Sequence, residues 1–218
     1  DLESTYEPAL KGVKSVLCAP PYEKRWEDKF PAFVAACDRA HVKHFVKLSF
    51  YHARTNNDIF KDVPLVQAHA KCDRFLASFG IGYTILGATH LMSNPLMYQG
   101  RELRKDQTPA VFYGSTQGKK VNYVSPNDIA DVAMHALLAP KNHFKKEYTL
   151  TGPEAIVDND VAILLGKFLG KSIMYVDQPL HTFEDGEKMS GDPKWMVRDF
   201  VALEKIKATG AEEELVVS

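Results

Sequence analysis

Residues 42–50 read V-K-H-F-V-K-L-S-F, a run rich in β-branched and aromatic side chains that predicts a buried β-strand. A polar loop follows, and Pro64 then stands in the first turn of a segment whose apolar residues recur at helical spacing. That apolar face consists of Leu65, Ala68, Cys72, Phe75, Leu76 and Phe79. Residues 82–87, G-Y-T-I-L-G, predict the next strand. A strand, a helix and a strand in succession are typical of a crossover unit in a parallel sheet.

The same alternation extends toward both ends of the chain. Upstream, residues 12–19 predict a strand that Pro20 and Pro21 terminate, and residues 27–40 predict an amphipathic helix. Downstream, strands are predicted at residues 121–124, 147–150 and 172–176, and helices beginning at Pro126, Val161 and Pro193. The sequence therefore predicts an α/β protein with a doubly wound parallel sheet and a small C-terminal α+β subdomain.

Composition and charge exclude several classes of function. Among 218 residues, 27 Lys and Arg stand against 28 Asp and Glu, a net charge of −1, so we expect no direct contact with nucleic acid. No apolar run approaches the ~20 residues that span a bilayer, so we expect no membrane contact. Three separated cysteines favour reduced thiols and a cytoplasmic location by default, and no metal site is predicted. Residues 212–214, three glutamates, are expected to form a solvated acidic run.

Polar side chains follow the predicted strands at their carboxyl ends, where ligands bind in open parallel sheets. The candidates in these loops are Ser49, Tyr51, His52, Thr89, His90 and Asn94. The alternative for each is a loop residue that satisfies neighbouring backbone groups.

Lys71 is a further candidate on the predicted helix from Pro64. It lies one turn from Ala68 and Phe75, so we expect it at the border of the apolar face. A lysine there can bind a ribose hydroxyl or take part in proton transfer. The alternative is a surface lysine whose stem covers apolar neighbours.

Several segments carry a resemblance to a known family. They are, in order, Asp1-Leu2 with A-L-K-G-V (9–13), V-K-H-F-V-K-L-S (42–49), Lys71 with G-I-G-Y-T-I-L (80–86), N-D-I-A-D-V-A (127–133) and Y-T-L-T-G-P-E (148–154). Together they resemble the NmrA-like family of atypical short-chain dehydrogenases/reductases, which includes the plant isoflavone reductases. The similar segments cover nearly the whole chain.

The resemblance implies a Rossmann-like fold that binds NADP or NAD. The residues expected along the dinucleotide groove are Asp1, Leu2, Ala19, Pro20, Pro21, Ser49, Lys71, Gly87, Ala88 and Thr89, and Lys71 is expected to be catalytic or to contact the cofactor. The dinucleotide-binding domain is assigned to residues 1–95 with 120–140. Residues 96–119 with 141–218 are assigned to a small substrate-side subdomain.

The sequence departs from the family pattern at three places. The chain has no G-x-G-x-x-G motif, and roughly 50 to 70 residues that would carry it are expected before Asp1, with the C-terminal end also early. A chain limited to these residues is expected neither to bind NADPH nor to fold alone. Gly87 and Ala88 stand where the family has Arg-Pro, and Gln67 stands where conventional relatives have the tyrosine four residues before the lysine.

These features lead to two functional hypotheses. The first is an NAD(P)H-dependent oxidoreductase that acts on a small organic acceptor such as a quinone, an enone or an aromatic ether, with His90, Asn94, Tyr51 and His52 on the substrate side. The alternative is a non-catalytic redox sensor, regulator or assembly protein of the same fold, favoured by Gln67 and by Gly87-Ala88. Both hypotheses are compatible with a protein partner or a homodimer.

Overall fold

The structure is a computed structural model that describes residues 3–54 and 58–215. Two compact units can be distinguished by their internal contacts. The first unit contains Asp1–Lys61, Leu65–Ala88 and Asn127–Leu150, and the second contains Asp62–Pro64, Thr89–Pro126 and Thr151–Ser218. Strand 146–150 thus belongs with the first unit, whereas the sequence assigned residues 141–218 to the subdomain; the roles given to the two predicted domains stay predictions.

A four-stranded parallel sheet forms the centre of the first unit. Its strands are β1 (Ser15–Cys18), β2 (His44–Phe50), β3 (Gly82–Ala88) and β7 (Lys146–Leu150), in the order β1-β2-β3-β7. The register places Lys47 beside Ile85, and Ile85 beside Glu147, so these three residues share one face. Ser49 and Gly87 lie one pleat further toward the carboxyl ends on the same face.

Some of the helices of the first unit pack on this face of the sheet. The helices of the first unit are α1 (Tyr6–Leu10), α2 (Phe30–Arg39), α3 (Pro64–Ser78), α5 (Pro126–Leu138) and α6 (Pro140–His143), with 3-10 turns at Trp26–Asp28 and Asp58–Phe60. Residues of α2 and α3, including Val34, Cys37 and Leu76, pack with Phe45 and Ile85 in one apolar core. The helix predicted over residues 27–40 is divided here, because Pro31 lacks an N–H and favours a new first turn at Phe30.

His44 is buried on the opposite face, at the amino end of β2. Its Nε2 lies 3.0 Å from the Thr84 hydroxyl, and its ring stacks on Phe144 at 5.0 Å between centroids. The Thr84 hydroxyl donates to the His143 carbonyl at 2.7 Å. Burial lowers the pKa of His44 to about 4, so the imidazole is neutral near pH 7.

The second unit combines short strands with helices. Its strands are β4 (His90–Leu91), β5 (Ala110–Gly114), β6 (Lys120–Val124), β8 (Ala155–Val157) and β9 (Ile173–Asp177), and its helices are α4 (Asn94–Leu103), α7 (Asp158–Leu169), α8 (Leu180–Met189) and α9 (Lys194–Lys207). β4, β6 and β8 form one sheet, in which β6 and β8 are antiparallel, and β5 pairs with β9 in parallel.

The predicted fold class is confirmed: the protein is α/β with a parallel sheet and an additional α+β part. The sequence patterns missed α1, α4, α6, α8, β4, β5 and β8, which are short or interrupted by polar residues and glycine. Among the described residues, no helix is both long and apolar enough to span a membrane.

Candidate active site

The carboxyl ends of β2 and β3 meet, and four predicted site residues lie there. The Tyr51 N–H donates to the Ala88 carbonyl at 3.0 Å, which ties the loop after β2 to the end of β3. A Cβ on Gly87 would lie 3.1 Å from the Tyr51 Cα, so a side chain there would require the loop to move by a few tenths of an ångström. Ser49 is buried beneath it, while the Tyr51 ring packs on Phe60 at 5.1 Å. The structure therefore brings Ser49, Tyr51, Gly87 and Ala88 together.

Beneath these loops lies a buried ion pair that the sequence interpretation did not include. The Lys47 ammonium lies 2.7 Å from Asp73 Oδ1, and both side chains are fully buried. The hydroxyl of Ser49 donates to the other oxygen of the same carboxylate, Oδ2, at 2.5 Å. Because Asp73 is on α3 and the other two residues are on β2, the carboxylate joins helix to sheet at the predicted site.

The Lys47 ammonium has three acceptors for its three protons. Besides Asp73, Nζ lies 3.2 Å from His69 Nδ1 and 3.3 Å from the Leu48 carbonyl oxygen. An ammonium has no lone pair, so the imidazole of His69 must accept at Nδ1 and must carry its single proton on Nε2. Burial and the charge of Lys47 both hold the pKa of His69 well below its usual range, in agreement with this neutral form.

Aromatic side chains enclose this charged group. Nζ of Lys47 lies 5.7 Å from the centre of the Trp26 ring and 5.8 Å from that of Phe30, distances at which a cation is attracted by the ring face. Trp26 also packs against the His69 ring, with 5.0 Å between centroids. The turn after β1 thereby covers the Lys47 ammonium.

Glu147 adds a carboxylate on the same sheet face. It lies in register with Ile85, the neighbour of Lys47, and its Oε2 is 3.3 Å from Arg54 Nη1. Burial raises the pKa of Glu147, and the charge of Arg54 opposes that rise. Its partner Arg54 belongs to the loop that also contains Tyr51 and His52, and the half-buried His52 completes that part of the site.

Lys71 faces away from this cluster. Two residues along a helix correspond to about 200°, so Lys71 is turned from both His69 and Asp73, which lie one turn apart. Its ammonium is 3.0 Å from Asp28 Oδ1, and its side chain is 58% exposed, more than its spacing from Ala68 and Phe75 predicts. Hydrogen bonds from Lys71 and Arg25 lower the pKa of Asp28.

The remaining predicted residues of the first unit are at its surface or outside the described part. Ala19 and Pro21 are exposed after β1, and Pro20 is half-buried between them. Asp1 and Leu2 lie outside the described residues. In the described part of the chain, no three His, Cys, Asp or Glu side chains are grouped so as to hold a metal ion.

Three predicted residues belong to the second unit. The Thr89 hydroxyl donates to the Asn122 side chain at 3.0 Å, and Asn94 is half-buried at the start of α4. His90 Nε2 lies 3.0 Å from Glu212 Oε1, and both side chains are buried. The Asn122 N–H donates to the other oxygen of Glu212, at 3.2 Å.

The expectation of a solvated acidic run at residues 212–214 is therefore wrong for Glu212, which is fully buried. His90 and the Asn122 amide provide its polar partners, and they stand about 90 or more positions away in sequence. These partners therefore cannot be identified from the residues around Glu212 in the sequence.

Sequence reasoning missed Lys47, His69 and Asp73, although one signal was present. Asp73 lies between Cys72 and Leu76 on the buried side of α3, and Lys47 occupies an inward position of a strand buried on both faces. A lone charge in either position would be costly to bury, so two opposite charges on adjacent elements indicate a pair.

Comparison with known proteins identifies the family. The model of the NmrA-like family matches residues 2–214. The chain belongs to the NmrA-like family. This confirms the resemblance inferred from the sequence segments.

The family relatives include reductases. The chain is 30% identical to agroclavine dehydrogenase of Claviceps fusiformis and 28% identical to an NAD(P)H azoreductase of Xenophilus azovorans, over 80% and 79% of its length. It spans 57% of the length of each of these two relatives. The solved structure of an NADPH-dependent quinone oxidoreductase from Escherichia coli, 24% identical, superposes with a TM-score of 0.79 over 95% of this chain and 70% of that one. At this identity the superposition establishes the shared fold.

Proposed function

We propose that this protein is an NAD(P)H-dependent oxidoreductase that reduces a small organic acceptor of the quinone, enone or aromatic ether class. The observation that carries the proposal is the family match over residues 2–214, together with relatives named as a dehydrogenase and an NAD(P)H azoreductase. The described site offers such ligands a hydrogen-bond donor, the N–H of His69, while Lys71 presents an exposed ammonium on another side of the same helix.

The cofactor-binding residues in this proposal are those at the carboxyl ends of the strands. Ala19 to Pro21, Ser49, Lys71 and Gly87 to Thr89 would hold NADP or NAD, with Asp1 and Leu2. When bound, the reduced nicotinamide supplies the hydride, and the protein supplies binding and orientation. Tyr51, His52, His90 and Asn94 would contact the acceptor.

Lys71 is proposed to contact the cofactor. Its exposed ammonium, held only by a surface ion pair with Asp28, can exchange that carboxylate for a ribose hydroxyl without leaving a buried charge unpaired. The three described cysteines are free thiols, which supports a cytoplasmic location.

The test is a titration of the full-length protein with NADPH and with NADH, followed by turnover with menadione and an azo dye. We expect saturable binding and stoichiometric oxidation of the reduced cofactor. Lys71→Ala should weaken cofactor binding or slow turnover at least several-fold. Arg74→Ala, which removes an exposed cation from the same helix, is the matched control and should match the wild type.

Three results would count against parts of this proposal. Oxidation that is unchanged in Lys71→Ala would remove Lys71 from the mechanism. Tight binding without turnover of any acceptor would indicate a dinucleotide sensor that acts through a protein partner or a homodimer. No binding of either dinucleotide would indicate an assembly protein.

A further inference from the structure

The imidazole of His69 is held in one protonation state and one tautomer by the buried Lys47. Lys47 Nζ donates to Nδ1 at 3.2 Å, and the same ammonium is fixed by Asp73 and by the Leu48 carbonyl. The other two protons of the ammonium are directed to Asp73 and to the Leu48 carbonyl. Because the ammonium has no lone pair, Nδ1 of His69 must be the acceptor in the remaining contact. His69 is left as a neutral ring with an N–H at Nε2.

The Nε2–H of His69 makes no hydrogen bond to the described residues. The residue is half-buried, and within the described ranges 3–54 and 58–215 its only hydrogen-bond partner is Lys47, at the other ring nitrogen. Since β2 and β3 are adjacent and parallel, α3 begins near the carboxyl edge of the sheet, and His69 lies in its first half. Ligands bind at that edge in open parallel sheets.

We propose that the Nε2–H of His69 is the hydrogen-bond donor to the acceptor oxygen that gains negative charge during reduction. This inference rests on the proposed function and adds a residue that the sequence interpretation did not contain. Lys47 and Asp73 are then positioning residues, which act on the ligand only through His69.

In this role His69 acts as an electrophilic hydrogen-bond donor, and its protonation state is the same before and after the reaction. When bound, the reduced nicotinamide would supply a hydride; a quinone that accepts it becomes a hydroquinone monoanion with one phenolate oxygen, and a proton from water completes the hydroquinone. His69 stabilises the phenolate by a hydrogen bond and transfers no proton, because a neutral imidazole is a much weaker acid than the phenol that would form. A preorganised donor in a partly dry site stabilises such charge far better than water does.

Two substitutions separate this role from a purely structural one. Asn in place of His69 can keep an acceptor near Nδ1 for Lys47 but has no donor at the position of Nε2, whereas Gln can place its amide N–H there. We expect His69→Asn to lower kcat/KM for menadione about 100-fold or more, in line with the loss of one donor to a developing oxyanion, and His69→Gln to stay within about tenfold of wild type. The Kd for NADPH should stay near the wild-type value in both.

A spectroscopic measurement on the wild type provides a readout apart from turnover. Menadione is titrated into the full-length protein, with and without NADP, and the ring ¹⁵N resonances of His69 are followed. We expect the protonated Nε2 resonance to shift on addition of menadione, while Nδ1 keeps the shift of an unprotonated nitrogen.

The inference is overturned if His69→Asn retains activity and His69→Gln loses it, since His69 would then only hold Lys47. It is also overturned if menadione leaves the Nε2 resonance unmoved. If the wild type binds NADPH but reduces no acceptor, the proposed activity fails, and the menadione titration still decides whether His69 binds the quinone oxygen.

Discussion

Helix α3 takes part in two lysine–aspartate pairs that differ in almost every physical respect. Lys71 and Asp28 are 3.0 Å apart with side chains 58% and 37% exposed, whereas Lys47 and Asp73 are 2.7 Å apart and both 0% exposed. The exposed pair can open and re-form at little cost, because water solvates both charges. The buried pair cannot, because each charge depends on the other for its solvation.

The difference in exposure suits Lys71 and Lys47 to different roles. The resemblance to known reductases pointed to Lys71, and its replaceable contact suits a residue that changes partners when a ligand binds. The buried pair suits a fixed support, since it holds Ser49 through Asp73 and His69 through Lys47. In the proposal for His69, Lys47 acts on the ligand without touching it.

Breaking the buried pair should produce the largest effect. Asp73→Ala leaves the Lys47 ammonium buried without its carboxylate, and removal of one partner from such a pair costs about 3–5 kcal/mol. The free energy of unfolding, measured by urea denaturation at pH 7, should fall by that amount.

The matched control is Asp28→Ala, which removes the carboxylate of the exposed pair. Its urea midpoint should not differ measurably from that of the wild type. Equal losses in the two variants would mean that burial does not distinguish the pairs.

Acidification should cause a somewhat smaller loss of stability, which arises from the buried His44. The folded-state pKa of His44 is about 4, below the value of about 6.5 in an unfolded chain. The unfolded state therefore binds a proton first as pH falls below 6.5, so the stability present at neutral pH is lost on acidification. For this one group the loss is about 2 kcal/mol at pH 5 and about 3 kcal/mol at pH 4.

The measurement compares unfolding free energies of the wild type and His44→Gln between pH 7 and pH 4. The unfolding free energy of the wild type minus that of the variant should fall by about 2 kcal/mol at pH 5 and about 3 kcal/mol at pH 4, because the variant has no imidazole to protonate. If the wild type and His44→Gln differ by the same amount at every pH, the pKa of His44 is not lowered in the folded state.

The fold could be predicted because its elements have strong local patterns. The runs at 44–50 and 82–88 are apolar and β-branched, and the helix from Pro64 has a regular apolar face, so periodicity located all three within a few residues. Helix α4 was missed because its sequence, N-P-L-M-Y-Q-G-R-E-L, mixes a few apolar residues with polar ones and contains proline and glycine.

The site was harder to predict, because its decisive contacts join distant residues. Ser49 could be named from its place at the end of a strand, but its partner Asp73 is 24 positions away on a helix. Lys47 lies at an inward position of a strand buried on both faces, but only the packing of α3 on β2 shows that Asp73 is its partner. Periodicity describes one element at a time, so it indicates which side chains face inward but not which charges meet.

By its hydrogen bond to Nδ1, Lys47 fixes His69 as a neutral imidazole with its proton on Nε2. The most direct test is the pH titration of the His69 ring ¹⁵N resonances in the wild type, with Lys71→Ala as the control that keeps the buried pair. We predict an unprotonated Nδ1 and a protonated Nε2 in both proteins from pH 8 down to pH 6, because burial and the Lys47 charge lower the pKa of His69. A proton on Nδ1, or an imidazolium at pH 6, would contradict the account.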